Sequence, residues 1–255
     1  MKIKPLLIFL GIFFVITFFG AMNMKSKTSK KDFSSNYLKV GTNAEFAPFA
    51  FIEHEEVKGF DIDLAKEIAK RLNREIELID MPWDALIPEL RNNKIDFVAS
   101  GMSITEERER VVQFTKPYLD GEPLVACYFS DRYQAGTLEE VLESKLIVND
   151  GYTADFYVSD ELNKKSLRVQ SPLDAIESLR SGRAEAYILA KSTLSSFTKE
   201  KKNSQLDYIV LEGTSENCAI MVAKDSKELL VSINQVLDEL KQEGFIEDLK
   251  EKWGL

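Results

Sequence analysis

Histidine is almost missing from these 255 residues: there is one, His54, alongside only two cysteines, Cys127 and Cys218. That scarcity narrows the chemistry. His54 lies in the polar run Glu53-His54-Glu55-Glu56, the setting of a solvated turn rather than of a catalytic base. No Gly-rich phosphate loop and no His, Cys, Asp or Glu cluster at ligand spacing accompanies it, so neither a metal nor a cofactor is expected. Carboxylates remain able to do acid and base work. Positive charge is also short. The six lysines up to Lys31 meet no acid, which leaves 27 basic against 42 acidic groups from residue 32 onward, a net of −15. A body of that sign does not suit nucleic acid, and its acidity reads as solubility. With 29% charged and 44% hydrophobic residues the chain is no integral membrane bundle, and it has apolar material for one large domain or two modest lobes.

The N-terminus stands apart. Lys2 and Lys4 precede an uncharged, Phe-rich run from Leu6 to about Asn23, followed by Lys25, Lys27, Lys30 and Lys31. Residues 1–23 therefore read as an export signal. Phe19-Gly20-Ala21-Met22 is not a clean small-x-small cleavage site, so a retained membrane anchor is the alternative. Neither cysteine follows the apolar run, which gives no support to lipid attachment. Residues 24–36, rich in Lys and Ser, form a tether. Outside the cytoplasm Cys127 and Cys218 either pair or persist as two buried thiols.

Further along, strands and helices alternate. Leu38 to Thr42 reads as a short buried strand, and Asp61 to Leu72 carries Ile62, Leu64, Ala65, Ile68, Ala69 and Leu72 at helical spacing. Glu75 to Ile79 alternates as a strand does. A helix with Asp84 as its N-cap leads into a strand at Ile95 to Ala99. The plan recurs in a strand at Lys145 to Val148, a helix near Asp174 to Leu179 and a strand at Ala184 to Leu189, and Pro82-Trp83-Asp84-Ala85 has an echo in Pro172-Leu173-Asp174-Ala175. The expectation is an α/β fold of two similar lobes, each a mostly parallel sheet flanked by helices. Residues 37–123 with 222–255 would make the first lobe and 124–221 the second. Two apolar segments near 124–128 and 217–222 would form the paired crossing strands of a hinge, bringing Cys127 near Cys218. The tail from Lys227 to Trp253 reads as helix with a break at Gly244, packed on the first lobe.

One segment points to binding chemistry. In Ala99-Ser100-Gly101-Met102-Ser103-Ile104-Thr105-Glu106-Glu107-Arg108 a strand ends in small and hydroxylic residues, and Thr105 caps a short helix. Ligands of open α/β sheets bind beyond the carboxyl ends of strands, where free N–H groups suit an anion. One turn into that helix, Arg108 can return a guanidinium fork to the same place, the geometry that carboxylates favour.

The stretch from Leu38 to Tyr118 also carries Val40-Gly41-Thr42-Asn43, Pro48-Phe49, Gly59-Phe60-Asp61-Ile62-Asp63-Leu64-Ala65 and Trp83-Asp84-Ala85-Leu86-Ile87-Pro88-Glu89-Leu90. Lys94-Ile95-Asp96, the Ser100-to-Arg108 motif and Phe114-Thr115-Lys116-Pro117-Tyr118 follow in order. With this series the chain resembles the amino-acid-binding proteins of family 3 of the bacterial extracellular solute-binding proteins. The resemblance implies a periplasmic-binding-protein-like II fold that binds a solute without transforming it. Arg108 matches the arginine that clamps the ligand carboxylate, with Ser103 and, from the second lobe, Thr153 as further donors. Gly101 matches a main-chain acceptor for the ligand ammonium, Phe46 and Trp83 match aromatic walls, and Asn43 and Asn149 match positions that set side-chain specificity. One departure stands out. In Tyr187-Ile188-Leu189-Ala190, Ala190 occupies the place of the family's usual ammonium-pairing aspartate. A buried ammonium without counter-charge is costly, and Glu45 and Asp150 are the nearest acids by motif position.

These readings lead to an exported, monomeric receptor for a small carboxylate, an amino acid by resemblance, that closes on its ligand and hands it to the membrane subunits of an ABC-type transporter. The competing classes are a dehydratase-like enzyme of the same fold and a membrane-tethered ligand sensor.

Overall fold

A computed structural model describes residues 36–134, 136–198 and 201–255; the expected leader and nearly all of the tether lie outside these residues. Two five-stranded sheets organise the body, and they share one plan. In the first, the order is Glu75–Asp80, Tyr37–Thr42, Phe97–Val98, Met221–Val222 and Gln113–Phe114. The first three strands run parallel, while Met221–Val222 is antiparallel to both its neighbours. In the second, the order is Leu167–Val169, Leu146–Asn149, Ala186–Ala190, Leu124–Phe129 and Leu206–Val210, again three parallel strands with an antiparallel fourth. Each sheet with its helices is one lobe of an α/β fold.

The fourth strand of each sheet is where the chain crosses between lobes. A short antiparallel ribbon, Leu119–Glu122 paired with Glu216–Cys218, stands between the sheets. One ribbon strand leads directly into Leu124–Phe129, and the other returns into Met221–Val222. The expected hinge at 124–128 is thus corrected: Leu124–Phe129 is buried at every position and is a central strand of the second sheet. A continuous apolar run is the mark of burial on both faces, whereas the ribbon that joins the lobes carries polar residues such as exposed Asp120 and half-buried Glu122.

The same correction separates the cysteines. Cys127 pairs in register with Tyr187 and Tyr208 inside the second lobe, while Cys218 sits in the ribbon with its Sγ 3.7 Å from the Gly101 carbonyl oxygen. Both are free and buried, so the candidate disulfide does not form, and burial raises both thiol pKa values.

Helix Phe60–Arg71 buries Ile62, Leu64, Ala65, Ile68 and Ala69 against the first sheet. It starts one residue before the expected Asp61, because Gly59 makes the turn at φ 134°, where an added Cβ would fall 2.1 Å from the Phe49 carbonyl oxygen. Helix Trp83–Arg91 likewise starts before Asp84, with Pro82 as its N-cap. Its counterpart, Pro172–Arg180, is capped by the Ser171 hydroxyl. The tail forms Lys227–Gln242 and Phe245–Trp253, broken at left-handed Gly244. It is tied to helix Phe60–Arg71 by Arg71 donating to both Glu243 oxygens at 2.8 and 2.6 Å, and by Trp253 Nε1 donating to Asp63 at 2.9 Å.

Candidate functional site

The capped turn after the strand Phe97–Val98 positions the central cation. Thr105 Oγ1 accepts from the Arg108 main-chain N–H at 3.2 Å, closing a four-residue helix, Glu106–Glu109. That turn folds the Arg108 side chain back toward Ser103, where it is only 5% exposed. Nη1 donates to the Ser103 carbonyl at 2.8 Å and Nη2 to the Gly151 carbonyl at 3.1 Å. The first acceptor belongs to the first lobe and the second lies just past the strand Leu146–Asn149 of the second lobe. The guanidinium carbon also lies 5.3 Å from the Trp83 ring centre, within cation–π range. Burial pulls the Arg108 pKa down, against the opposing pull of Glu216.

Around this fork stands an aromatic box. Phe46 stacks on Phe49 at 5.3 Å and meets the Tyr152 ring edge-on at 5.5 Å, and Tyr152 lies 4.3 Å from Trp83, centre to centre. Trp83 Nε1 points to the Gly151 carbonyl at 3.4 Å. Gly101 forms the floor at φ 58°; an added Cβ there would lie 2.5 Å from Phe46 Cε1, so only glycine fits. Its N–H donates to the carboxylate of Asp61, a wholly buried acid that burial pushes up to about 7, against the lowering effect of that hydrogen bond. Asp61 thereby braces the loop that carries Gly101, Ser103 and Arg108.

Between the lobes these groups enclose a cavity of about 30 Å³, room for a water or two rather than for an amino acid. Of the residues picked out from sequence, Arg108, Ser103, Gly101, Thr153, Phe46, Trp83 and Asn149 line it. Asn149 accepts from the Tyr187 hydroxyl and donates to the Val169 carbonyl at 3.4 Å. Thr153 starts the short helix Thr153–Phe156. Asn43 is not brought in: it is buried, but its amide donates to the Met81 carbonyl at 3.3 Å. Glu45 is exposed and outside the lining. Asp150 is at the outer rim beside Trp83 and Gly151, engaged with Gln170 and Arg168 rather than with the cavity.

Among the lining residues that escaped the sequence reading are Tyr152, Glu122 and Glu216. Tyr152 had a local signal, its place between Gly151 and Thr153. The two glutamates had none, being remote in sequence and in ordinary polar surroundings. They are register partners in the ribbon. Glu122 accepts from the main-chain N–H of Ser192. Burial lifts Glu216 to about 7, opposed by Arg108 and by the nearby Ser103 hydroxyl and reinforced by Glu122, while its buried Oε1 makes no close hydrogen bond. Ala190 lines the same cavity. Among the described residues no group of three or more His, Cys, Asp or Glu is placed to hold a metal ion.

The family model for bacterial extracellular solute-binding proteins, family 3, matches residues 38–255. An "ABC transporter arginine-binding protein 1" of Escherichia coli is 30% identical over 223 residues, covering 85% of this chain and 90% of that protein. Among solved structures, the arginine-bound form of truncated ArgBP from T. maritima is 40% identical with a TM-score of 0.73, covering 80% of this chain and 96% of that one. An ancestral amino-acid-binding protein, described as a precursor of cyclohexadienyl dehydratase, is 31% identical with a TM-score of 0.76, covering 86% and 95%.

Proposed function

The chain belongs to the bacterial extracellular solute-binding proteins of family 3, and from that membership we propose that it is the exported receptor of an ABC-type uptake system, binding an amino acid, with arginine the first ligand to test. The single observation that carries the reading is the Arg108 fork, whose two acceptors, Ser103 and Gly151, belong to different lobes. A ligand carboxylate is a stronger partner for a guanidinium than a neutral carbonyl. It would take over the Gly151-directed arm, with the Ser103 and Thr153 hydroxyls as further donors, and the ligand side chain would lie in the box of Phe46, Trp83 and Tyr152.

Because the enclosed space is too small for an amino acid, the lobes must part about the ribbon Leu119–Glu122 and Glu216–Cys218 to admit one. The ligand then selects the closed arrangement in proportion to its differential affinity for it. Closure would mark the loaded receptor for the transporter's membrane subunits. The E. coli and T. maritima relatives are arginine-binding proteins by name, which supports a cationic amino acid here.

Isothermal titration of the purified protein with each of the common amino acids tests the reading. Saturable binding of arginine or another cationic amino acid, lost in Arg108→Ala, is the expected result; heat from none of them would overturn it. A second reading has one observation behind it: Glu216, held near neutrality in the cavity, has the poise of a general acid for expelling water from a cyclohexadienyl substrate. Turnover of such a compound, absent in Glu216→Gln, would decide for the enzyme.

A further inference from the structure

We infer that Glu122 and Glu216, opposed across the inter-lobe ribbon, together form the subsite for the α-ammonium of the bound amino acid, replacing the acid that is missing at Ala190. The inference rests on the amino-acid receptor reading and deepens it. It assigns the ligand's positive end to the hinge itself rather than to the second-lobe strand.

Strand register carries the argument first. Ala190 is the partner of Leu124. Glu122 lies two residues before Leu124, and its carboxylate accepts from the N–H of Ser192, two residues after Ala190. The Glu122 carboxylate is thus anchored beside the very position that lacks an acid. Glu216 faces Glu122 in the ribbon, and all three residues line the cavity that holds Arg108 and Ser103.

Charge carries it second. Two carboxylates brought together in a nearly enclosed space repel each other and call for a cation. Arg108 offsets part of this charge, yet its guanidinium hydrogen bonds go to Ser103 and Gly151 rather than to either glutamate. Glu216 is approached by the Ser103 hydroxyl, yet its Oε1 is buried and makes no close hydrogen bond, and the residue lines the cavity where an ammonium would stand. Because Ser103 adjoins both Arg108 and Glu216, the anion and cation sites are neighbours, as the two groups on one α-carbon require.

A proton follows from the same geometry. The groups facing Glu216 are Arg108 from the short helix, Ser103 from the loop before it, Glu122 from the opposing strand and Cys218 from its own. With burial dominant, Glu216 takes up a proton below about pH 7, and an arriving ammonium must expel it. Binding should therefore release protons at pH 6 and tighten as pH rises toward 8.

Titration calorimetry with L-arginine and with N-α-acetyl-L-arginine, at pH 6 in buffers of different ionisation enthalpy, tests this. Expected are a fractional proton released by the wild type, none by Glu216→Gln, and at least tenfold weaker L-arginine binding in Glu122→Gln and Glu216→Gln. The acetylated probe should change less than twofold between wild type and variants. L-Arginine binding within twofold of wild type in both variants overturns the subsite while leaving the receptor reading intact. If neither L-arginine nor any other amino acid binds the wild type, both fall. Should the glutamine variants fail to fold, the wild-type measurement decides alone: ligand binding without proton release at pH 6 overturns the proposal.

Discussion

Arg108 of the first lobe donates to the Gly151 carbonyl of the second at 3.1 Å, while its other arm holds Ser103 at 2.8 Å. One side chain thus spans the cleft with a planar fork whose donors are fixed relative to each other. This arrangement requires arginine in particular, since a lysine ammonium offers a single point of charge on a flexible stem.

Replacement of Arg108 should separate charge from geometry. Arg108→Ala is expected to weaken amino-acid binding by at least about thirtyfold, in line with about 2–5 kcal/mol for truncating one member of a desolvated charged pair. Arg108→Lys should recover only part of that. Titration calorimetry reads both, and equal affinities for Lys and wild type would rule out the bidentate contact.

The two tryptophans occupy different worlds. Trp83 is in the cavity wall, tilted against Tyr152, whereas Trp253 donates to Asp63 at the far end of the tail helix. Ligand binding should change the fluorescence of wild type and of Trp253→Phe alike, and leave Trp83→Phe silent. A signal that follows Trp253 instead would mean that the site is elsewhere.

Glycine at 101 is a steric demand. Gly101→Ala meets both φ 58° and a contact of 2.5 Å with Phe46, so it should cost on the order of 1–3 kcal/mol of stability and impair binding with it. Gly182 has a similar φ of 75° but open space around its Cβ position. Gly182→Ala should cost about 1–2 kcal/mol from the left-handed backbone alone and leave affinity alone, as urea denaturation and titration would report.

Asp61 predicts an inverted pH dependence. Its pKa rises from 3.8 unfolded to about 7 folded, so between these values the folded state holds a proton that the unfolded state has lost. Stability therefore falls as pH rises through that window, by up to about 1.4 kcal/mol per pH unit for this group, and levels off above it. Asp61→Asn keeps an acceptor for the Gly101 N–H and should flatten the decline in urea midpoint from pH 5 to 8. An unchanged slope would show that Asp61 is ionised throughout.

Both cysteines should count as thiols. Unreduced native protein is expected to react slowly with a thiol reagent, because Cys127 and Cys218 are buried, and to yield two thiols per chain once denatured. A yield of none would restore the disulfide.

How much of this was legible depends on how far apart the interacting residues are. The helix at Phe60–Arg71, the break at Gly244 and the return of Arg108 onto Ser103 were readable because each is set within a turn or two of chain, by helical spacing, a left-handed glycine or the Thr105 cap. The ordered motifs beyond them pointed to the family. Asn43 and Asp150, by contrast, stood in the right motifs, yet neighbouring carbonyls and cations drew their side chains away from the cavity. The hinge was misplaced for a related reason: hydrophobicity marks what is buried, and a strand such as Leu124–Phe129 is buried because it is central to a sheet.

By itself, then, the sequence determined the two-lobed α/β plan, since helical spacing, strand alternation and capping act locally, and its ordered motifs pointed to Arg108 as a carboxylate partner through family resemblance. Only the tertiary structure decided which acids lie beside Ala190 in the cavity. Glu122 and Glu216 meet through the register of a ribbon whose strands are joined by the entire second lobe, and no local periodicity encodes a pairing across such a span.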